Sequence, residues 1–313
     1  MVTTHICERE GMTPILHLDK RALEEVFVAS SVQEALAYLM AHHDEAQLVA
    51  GGTVLMPQVQ RRELLATRLV DISRVHSMRT IRQDEDGYLL IGGAATMAAL
   101  QSWDAVREGA PLLYQAARLI GAPQLRTLAT LGGNVVWADG AGEGAVALVA
   151  VGAEAEITNF TGAQWLPVAT LFVRPGISRV DSMSEIITAF RLRPRGEHEG
   201  AAMGRIAPLA GQLRSPFVLA VVLGLDEAGP KIAWAAVAAG ALTLVPQRLS
   251  ELESALVGRE ATDRQPRETL VKGIVQYAME KGLIASPDAP LWRQLPELAS
   301  RLYDRALAAA GNA

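Results

Sequence analysis

The chain has 313 residues, half of them apolar, with 29 basic against 34 acidic side chains and a net charge of −5. That length accommodates two or three domains with a sizeable core, and basic residues scattered in this way exclude the footprint of a nucleic-acid binder. The single cysteine, Cys7, excludes an intramolecular disulfide and any four-cysteine zinc or iron–sulfur site supplied by this chain alone.

No apolar run reaches the roughly 18 residues of a membrane span. Met1 to Glu10 lacks the basic start and apolar core of a secretion signal. The expectation is a cytoplasmic protein with no transmembrane segment.

Taken in order, Ser31-Val32-Gln33-Glu34 has the spacing of a helix capping box. Ala35, Leu36, Leu39 and Met40 then recur at helical intervals, predicting a helix that ends near His42. Leu48-Val49-Ala50 reads as a strand running into a Gly51-Gly52-Thr53 turn and a helix start at Val54-Leu55-Met56. Leu69 to Ile72 reads as a second strand. Thr80-Ile81-Arg82 pairs with Tyr88 to Ile91 across Asp84-Glu85-Asp86-Gly87, whose Asp-Gly step supplies the turn. Thr96 caps a short helix through Leu100, and Pro111 to Ile120 forms a stronger one, with Gly121 just past its end.

Past the motif at Thr130, Ala145 to Val151 reads as a compact apolar helix closed by Gly152, followed by a strand at Glu154 to Ile157 and another at Glu185 to Leu192. The polar, breaker-rich stretch Arg193 to Gly200 marks a boundary. Beyond it, Phe217 to Leu225 and Lys231 to Ala241 form a hairpin across Asp226 to Pro230. The longest apolar run, Ala233 to Val245, reads as buried strand. Helices are predicted over Leu249 to Val257, Arg267 to Lys281 and Pro296 to Ala310, with Pro296 at a first helical position. Alternating helices and strands, then strands followed by helices, make the fold class α+β with a separate C-terminal unit.

The chemistry concentrates at Thr130-Leu131-Gly132-Gly133-Asn134 and its tail, Val135 to Glu143. Paired glycines let a phosphate-bearing cofactor approach the backbone closely, with N–H groups exposed to negative charge. A bare Gly-Gly is more often a tight turn. A second pair, in Leu48-Val49-Ala50-Gly51-Gly52-Thr53-Val54-Leu55, lies about eighty residues upstream.

These two motifs in this order, with Gln124-Leu125-Arg126 before the second, resemble the FAD-binding medium subunit of the molybdenum hydroxylases. That group includes flavoprotein subunits of carbon monoxide dehydrogenase, xanthine dehydrogenase and N-heterocycle dehydrogenases. The resemblance implies a two-subdomain FAD-binding region of the vanillyl-alcohol oxidase (PCMH) type over residues 1–194, split near 70–75, and a C-terminal α+β domain over 201–313. It implies that Leu48, Val49, Ala50, Gly51, Gly52, Thr53, Val54 and Leu55 wrap the FAD pyrophosphate with backbone N–H groups. Thr130, Leu131, Gly132, Gly133 and Asn134 would then close over it from the other side. Ile120 and Ile187 match apolar contacts of the family. Asp139 and Glu143 fall on its acidic positions, and Arg205 falls roughly where many members carry lysine.

The resemblance further implies an electron-transfer role with no catalytic side chain in this chain. Electrons would come from [2Fe-2S] clusters of a small subunit and, before that, from a molybdopterin-binding large subunit, in an αβγ or (αβγ)2 complex. They would leave through FAD to an external acceptor. The tail departs from the family: Trp137 replaces a histidine, Gly140 a proline, Glu143 an aspartate, and Pro208-Leu209 stand where paired arginines are usual. Two other readings stay open. One is a flavin-free assembly subunit of such a complex, and the other a stand-alone FAD-dependent oxidoreductase.

Simpler readings suit the remaining features. Gly140-Ala141-Gly142-Glu143-Gly144-Ala145 spells a dinucleotide fingerprint, but no acid stands at the ribose-binding distance, so its glycines read as turn. His42-His43 reads as a solvated pair at a helix end rather than a metal site. Arg61-Arg62 and Arg191, Arg193 and Arg195 read as solvated faces. Trp137 reads as core filling in preference to a flavin-stacking ring.

Overall fold

In the computed structural model, residues 22–207, 215–284 and 290–311 are described. Cys7, the Met1–Glu10 stretch and Pro208-Leu209 lie outside them. The first unit is a parallel sheet of strands β1 (Glu25–Val28), β2 (Ala46–Val49) and β3 (Arg68–Asp71) in the order β1-β3-β2, with helix α1 (Val32–Ala41) and the short helix α2 (Leu55–Gln60). Ser31 caps α1 by accepting the Glu34 N–H at 3.1 Å. Glu34 reaches back to the Ser30 N–H at 2.7 Å, so the box closes one residue before its expected partner. Ala35 and Leu39 carry the buried stripe of α1 onto Val70 and Met78.

The second unit centres on a fully antiparallel sheet, β4-β5-β10-β6-β7. Its strands are β4 (Ile81–Gln83), β5 (Leu89–Gly92), β6 (Glu154–Asn159), β7 (Gly162–Pro167) and β10 (Ile186–Leu192), with a small β8 (Phe172–Arg174) and β9 (Ile177–Ser178) hairpin beside it. Between β5 and β6 run α3 (Met97–Ser102), α4 (Asp104–Gly109), α5 (Pro111–Leu119), α6 (Pro123–Arg126), α7 (Leu131–Val136) and α8 (Glu143–Ala150). Gly87, at φ +85°, closes the β4–β5 turn as the Asp-Gly step predicts. Every residue of α8 is buried, as expected of a helix that is apolar all round. It lies between α5 and the third unit.

That third unit is the antiparallel sheet β11 (Glu199–Arg205), β12 (Phe217–Leu225), β13 (Ile232–Ala241) and β14 (Leu244–Arg248), followed by α9 (Ser250–Leu256), α10 (Arg264–Glu280) and α11 (Pro290–Gly311). Its two faces explain why β12 is apolar without alternation. Val218, Ala220 and Val222 pack into the core shared with α5 and α8, whereas Phe217, Leu219, Val221 and Leu223 face α10 and α11.

Three sequence expectations change. The run Ala233 to Val245 spans parts of two strands, with the turn at 242–243. Glu199 and Gly200 open β11 rather than ending a linker. Pro296 sits inside α11, where it has no N–H for the preceding turn.

Candidate cofactor site

The first glycine pair follows the carboxyl end of β2, the end of a parallel sheet where ligands bind in open α/β units. Leu48 N–H donates to the Ser182 carbonyl at 2.9 Å, tying the strand to the second unit. Among the described residues, no protein acceptor receives the N–H groups of Gly51, Gly52, Thr53 or Val54. Four consecutive open donors on a half-buried turn make a fixed patch of positive potential suited to phosphate oxygens. Gly52 adopts φ +64°, which favours glycine. A β-carbon on Gly51 would stand 2.0 Å from the Leu128 carbonyl oxygen, so the turn lies directly against the chain leading into the second motif.

That second motif is not a turn. Thr130 caps α7 through its hydroxyl, which accepts the Gly133 N–H at 3.2 Å. Gly132 N–H donates to the Gly93 carbonyl at 2.8 Å, Leu131 N–H to Ala95 at 3.0 Å and Asn134 N–H to Thr130 at 3.0 Å. The amides of Leu131 to Asn134 are therefore satisfied within the chain, and Gly132 serves proximity. A β-carbon on Gly132 would meet the Gly93 oxygen at 2.6 Å. Gly93, whose own β-carbon would fall 1.9 Å from the Ile187 oxygen, packs against the second motif in a contact that the two-motif reading missed. The adjacent pair Gly92-Gly93 was the available signal.

The tail has its own logic. Asn134 Oδ1 accepts the Ala145 N–H at 3.0 Å, capping α8 from a distance because Gly142 at the cap position has no side chain. Glu143 opens α8, is buried, and is ion-paired with Arg205 on β11. Burial pushes its carboxyl up from the ordinary 4.5, with Arg205 and a backbone N–H bond offsetting part of the rise. Two candidate residues named separately in the sequence thus meet each other. Asp139 Oδ1 accepts the Ala141 N–H at 3.1 Å. Gly140 carries no side chain where a β-carbon would stand 2.0 Å from the Leu244 oxygen and 2.1 Å from the Ala241 oxygen. Glycine at this position therefore seats the tail on the β13–β14 turn. Trp137 is half-buried.

A family model, the FAD binding domain in molybdopterin dehydrogenase, matches residues 21–194. The chain belongs to that family. As an FAD-binding subunit it is similar to the "Nicotinate dehydrogenase FAD-subunit" of Eubacterium barkeri, with 26% identity over 79% of this chain and 83% of that protein. It is also similar to the "6-hydroxypseudooxynicotine dehydrogenase complex subunit alpha" of Paenarthrobacter nicotinovorans, with 31% identity over 64% of this chain and 67% of that protein. In fold the FAD-binding subunit matches reconstituted CO dehydrogenase from Oligotropha carboxidovorans, with TM-score 0.80 and 22% identity over 92% of this chain and 99% of that one. It is accordingly an oxidoreductase subunit of the molybdenum hydroxylase type. Among the described residues no helix is long and apolar enough to cross a membrane.

The FAD-binding subunit holds its other candidates as follows. Ile120 is half-buried at the end of α5, and Ile187 is buried beside a bulge in β10. Arg61 and Arg62 are exposed as read, whereas Arg191, Arg193 and Arg195 are engaged. Arg191 pairs with Glu154 at 2.6 Å and lies over the Trp165 ring at 4.6 Å. Arg193 pairs with Glu199, and Arg195 donates to the Glu199 carbonyl at 3.1 Å. His42 packs on Tyr38, and among the described residues no cluster of metal-ligating side chains forms.

Proposed function

We propose that this chain is the electron-transfer subunit of a heteromeric molybdenum hydroxylase, standing between the [2Fe-2S] clusters of a small partner subunit and an external electron acceptor. A large partner subunit would hold molybdopterin and oxidise the substrate, in an αβγ or (αβγ)2 complex in the cytoplasm. The observation that carries the reading is the row of open amides from Gly51 to Val54, set against the Leu128–Ala129 backbone. FAD bound there supplies the redox chemistry, and the protein supplies orientation and electrostatics.

Within this reading Gly51, Gly52, Thr53 and Val54 hold the diphosphate through the backbone. Gly132 lets α7 stand close to Gly93, which shapes the cleft, while Gly133 donates its N–H to the Thr130 cap. Leu48 to Ala50 and Leu55 carry the turn, and Ile120 and Ile187 offer apolar surface. Asp139, Asn134 and the Glu143–Arg205 pair fix the tail beneath it. We infer that the FAD-binding region and the C-terminal unit meet at the sequence boundary near residues 194–201.

The test is purification of the chain with its partners, followed by visible absorption and FAD quantitation. One FAD per chain, bleached anaerobically by substrate of the complex, is expected. A colourless but fully assembled and active complex would overturn the proposal, and turnover by this chain alone would replace it with a stand-alone oxidoreductase.

A further inference from the structure

Gln124-Leu125-Arg126 is the part of the sequence signature that the amide row leaves unexplained. Segment 121–128 is almost wholly solvent-exposed, yet it is tied together throughout. Thr127 Oγ1 donates to the Gln124 carbonyl at 2.7 Å, and the Leu128 and Ala129 N–H groups both donate to the Leu125 carbonyl, at 3.1 and 2.7 Å. An exposed segment with this much internal bonding is preorganised, which is how binding surfaces avoid an ordering cost.

Arg126 closes the segment at its other end. After α5 stops, Gly121 turns into φ +48°, leaving two carbonyls on one side. Arg126 Nε donates to Ile120 at 2.7 Å and Nη2 to Gly121 at 3.1 Å. Such a two-point grip uses the planar fork of a guanidinium, which lysine cannot reproduce. Downstream, the same segment delivers the Leu128 carbonyl to the backbone of Gly51.

We propose that Arg126 is a positioning residue for the cofactor site. Its grip on Ile120 and Gly121 sets where the Leu125–Ala129 wall stands against the Gly51 turn, and with it the spacing between that wall and the Gly51–Val54 amides. The proposal rests on the cleft being the FAD site. A residue that only capped α5 would lower the stability of the apo-protein and leave FAD affinity of the folded fraction unchanged.

The experiment titrates FAD into the deflavinated protein, for wild type, Arg126→Lys and Arg126→Ala, with the thermal midpoint of each apo-protein measured alongside. The expected result is FAD affinity at least tenfold weaker in both variants at an apo midpoint close to wild type. Free guanidinium ion at millimolar concentration should restore binding in Arg126→Ala and not in Arg126→Lys. Wild-type affinity in either variant, or weakened binding that guanidinium does not restore in Arg126→Ala, would overturn the role of Arg126 while leaving the FAD site standing. Failure of the wild type itself to take up FAD would overturn both.

Discussion

At the residue scale, the two glycine pairs do different work although they look alike in sequence. Gly51 meets backbone that cannot move aside, so Gly51→Ala should empty the site, read as flavin absorbance per protein. Full FAD in that variant would locate the cofactor elsewhere. Gly133 is exposed, and its β-carbon would meet only the Thr130 hydroxyl, at 2.9 Å. Gly133→Ala should keep its FAD and shift stability by no more than about 1 kcal/mol, the helix-propensity gain of alanine offsetting a loosened cap.

Glu143 gives a pH signature at the same scale. Its carboxyl is raised in the fold by burial, so the native state binds more protons than the unfolded chain between the ordinary 4.5 and the raised value. Its stabilising contribution is therefore complete below 4.5 and is lost as pH rises through the native value. Urea titrations between about pH 4 and 7 should show wild-type stability falling more steeply with pH above 4.5 than that of Glu143→Gln. Parallel profiles would mean that Glu143 titrates normally.

At the element scale, α8 is the helix that the units share. It is buried along its whole length, so its amino end cannot be completed by water, and Asn134 supplies the missing acceptor. Asn134→Ala would leave the buried Ala145 N–H unsatisfied and should cost about 1–3 kcal/mol in chemical denaturation. A change within error would show that another group caps α8. Capping at α1 and α3 was readable from Ser31 and Thr96, because cap and helix are neighbours in the chain. The cap of α8 was not, because its donor of acceptor atoms sits in a different helix and Gly142 gives no sign of it. Pro296 misled for a related reason: an N-terminal preference is a local rule, and packing of α11 on β11 and β12 extends the helix past it.

At the scale of the whole molecule, the C-terminal sheet is docked backbone to backbone on the tail of the flavin motif. A β-carbon on Gly240 would stand 2.2 Å from the Gly140 oxygen, the counterpart of the contact Gly140 makes with Ala241 and Leu244. Gly240→Ala should open this seam at a cost of about 1–3 kcal/mol, visible as a lower melting temperature and faster proteolysis near residues 193–198. Unchanged melting would mean that the seam yields without strain.

The sequence by itself determined the local units, namely helix starts, the Asp-Gly hairpin, the two glycine motifs and the apolar strands of the last sheet. It also carried the family, because those motifs recur in a fixed order. Only the tertiary structure decided which glycine amides stay open and which are spent, that Gly93 completes the cluster, and that Glu143 and Arg205 neutralise one another. The reason is physical. Turn chemistry and periodicity act between neighbours in the chain, whereas the acceptors at Gly93 and Ala95, the Leu128 carbonyl and the Arg205 guanidinium reach their partners only after the sheets have packed.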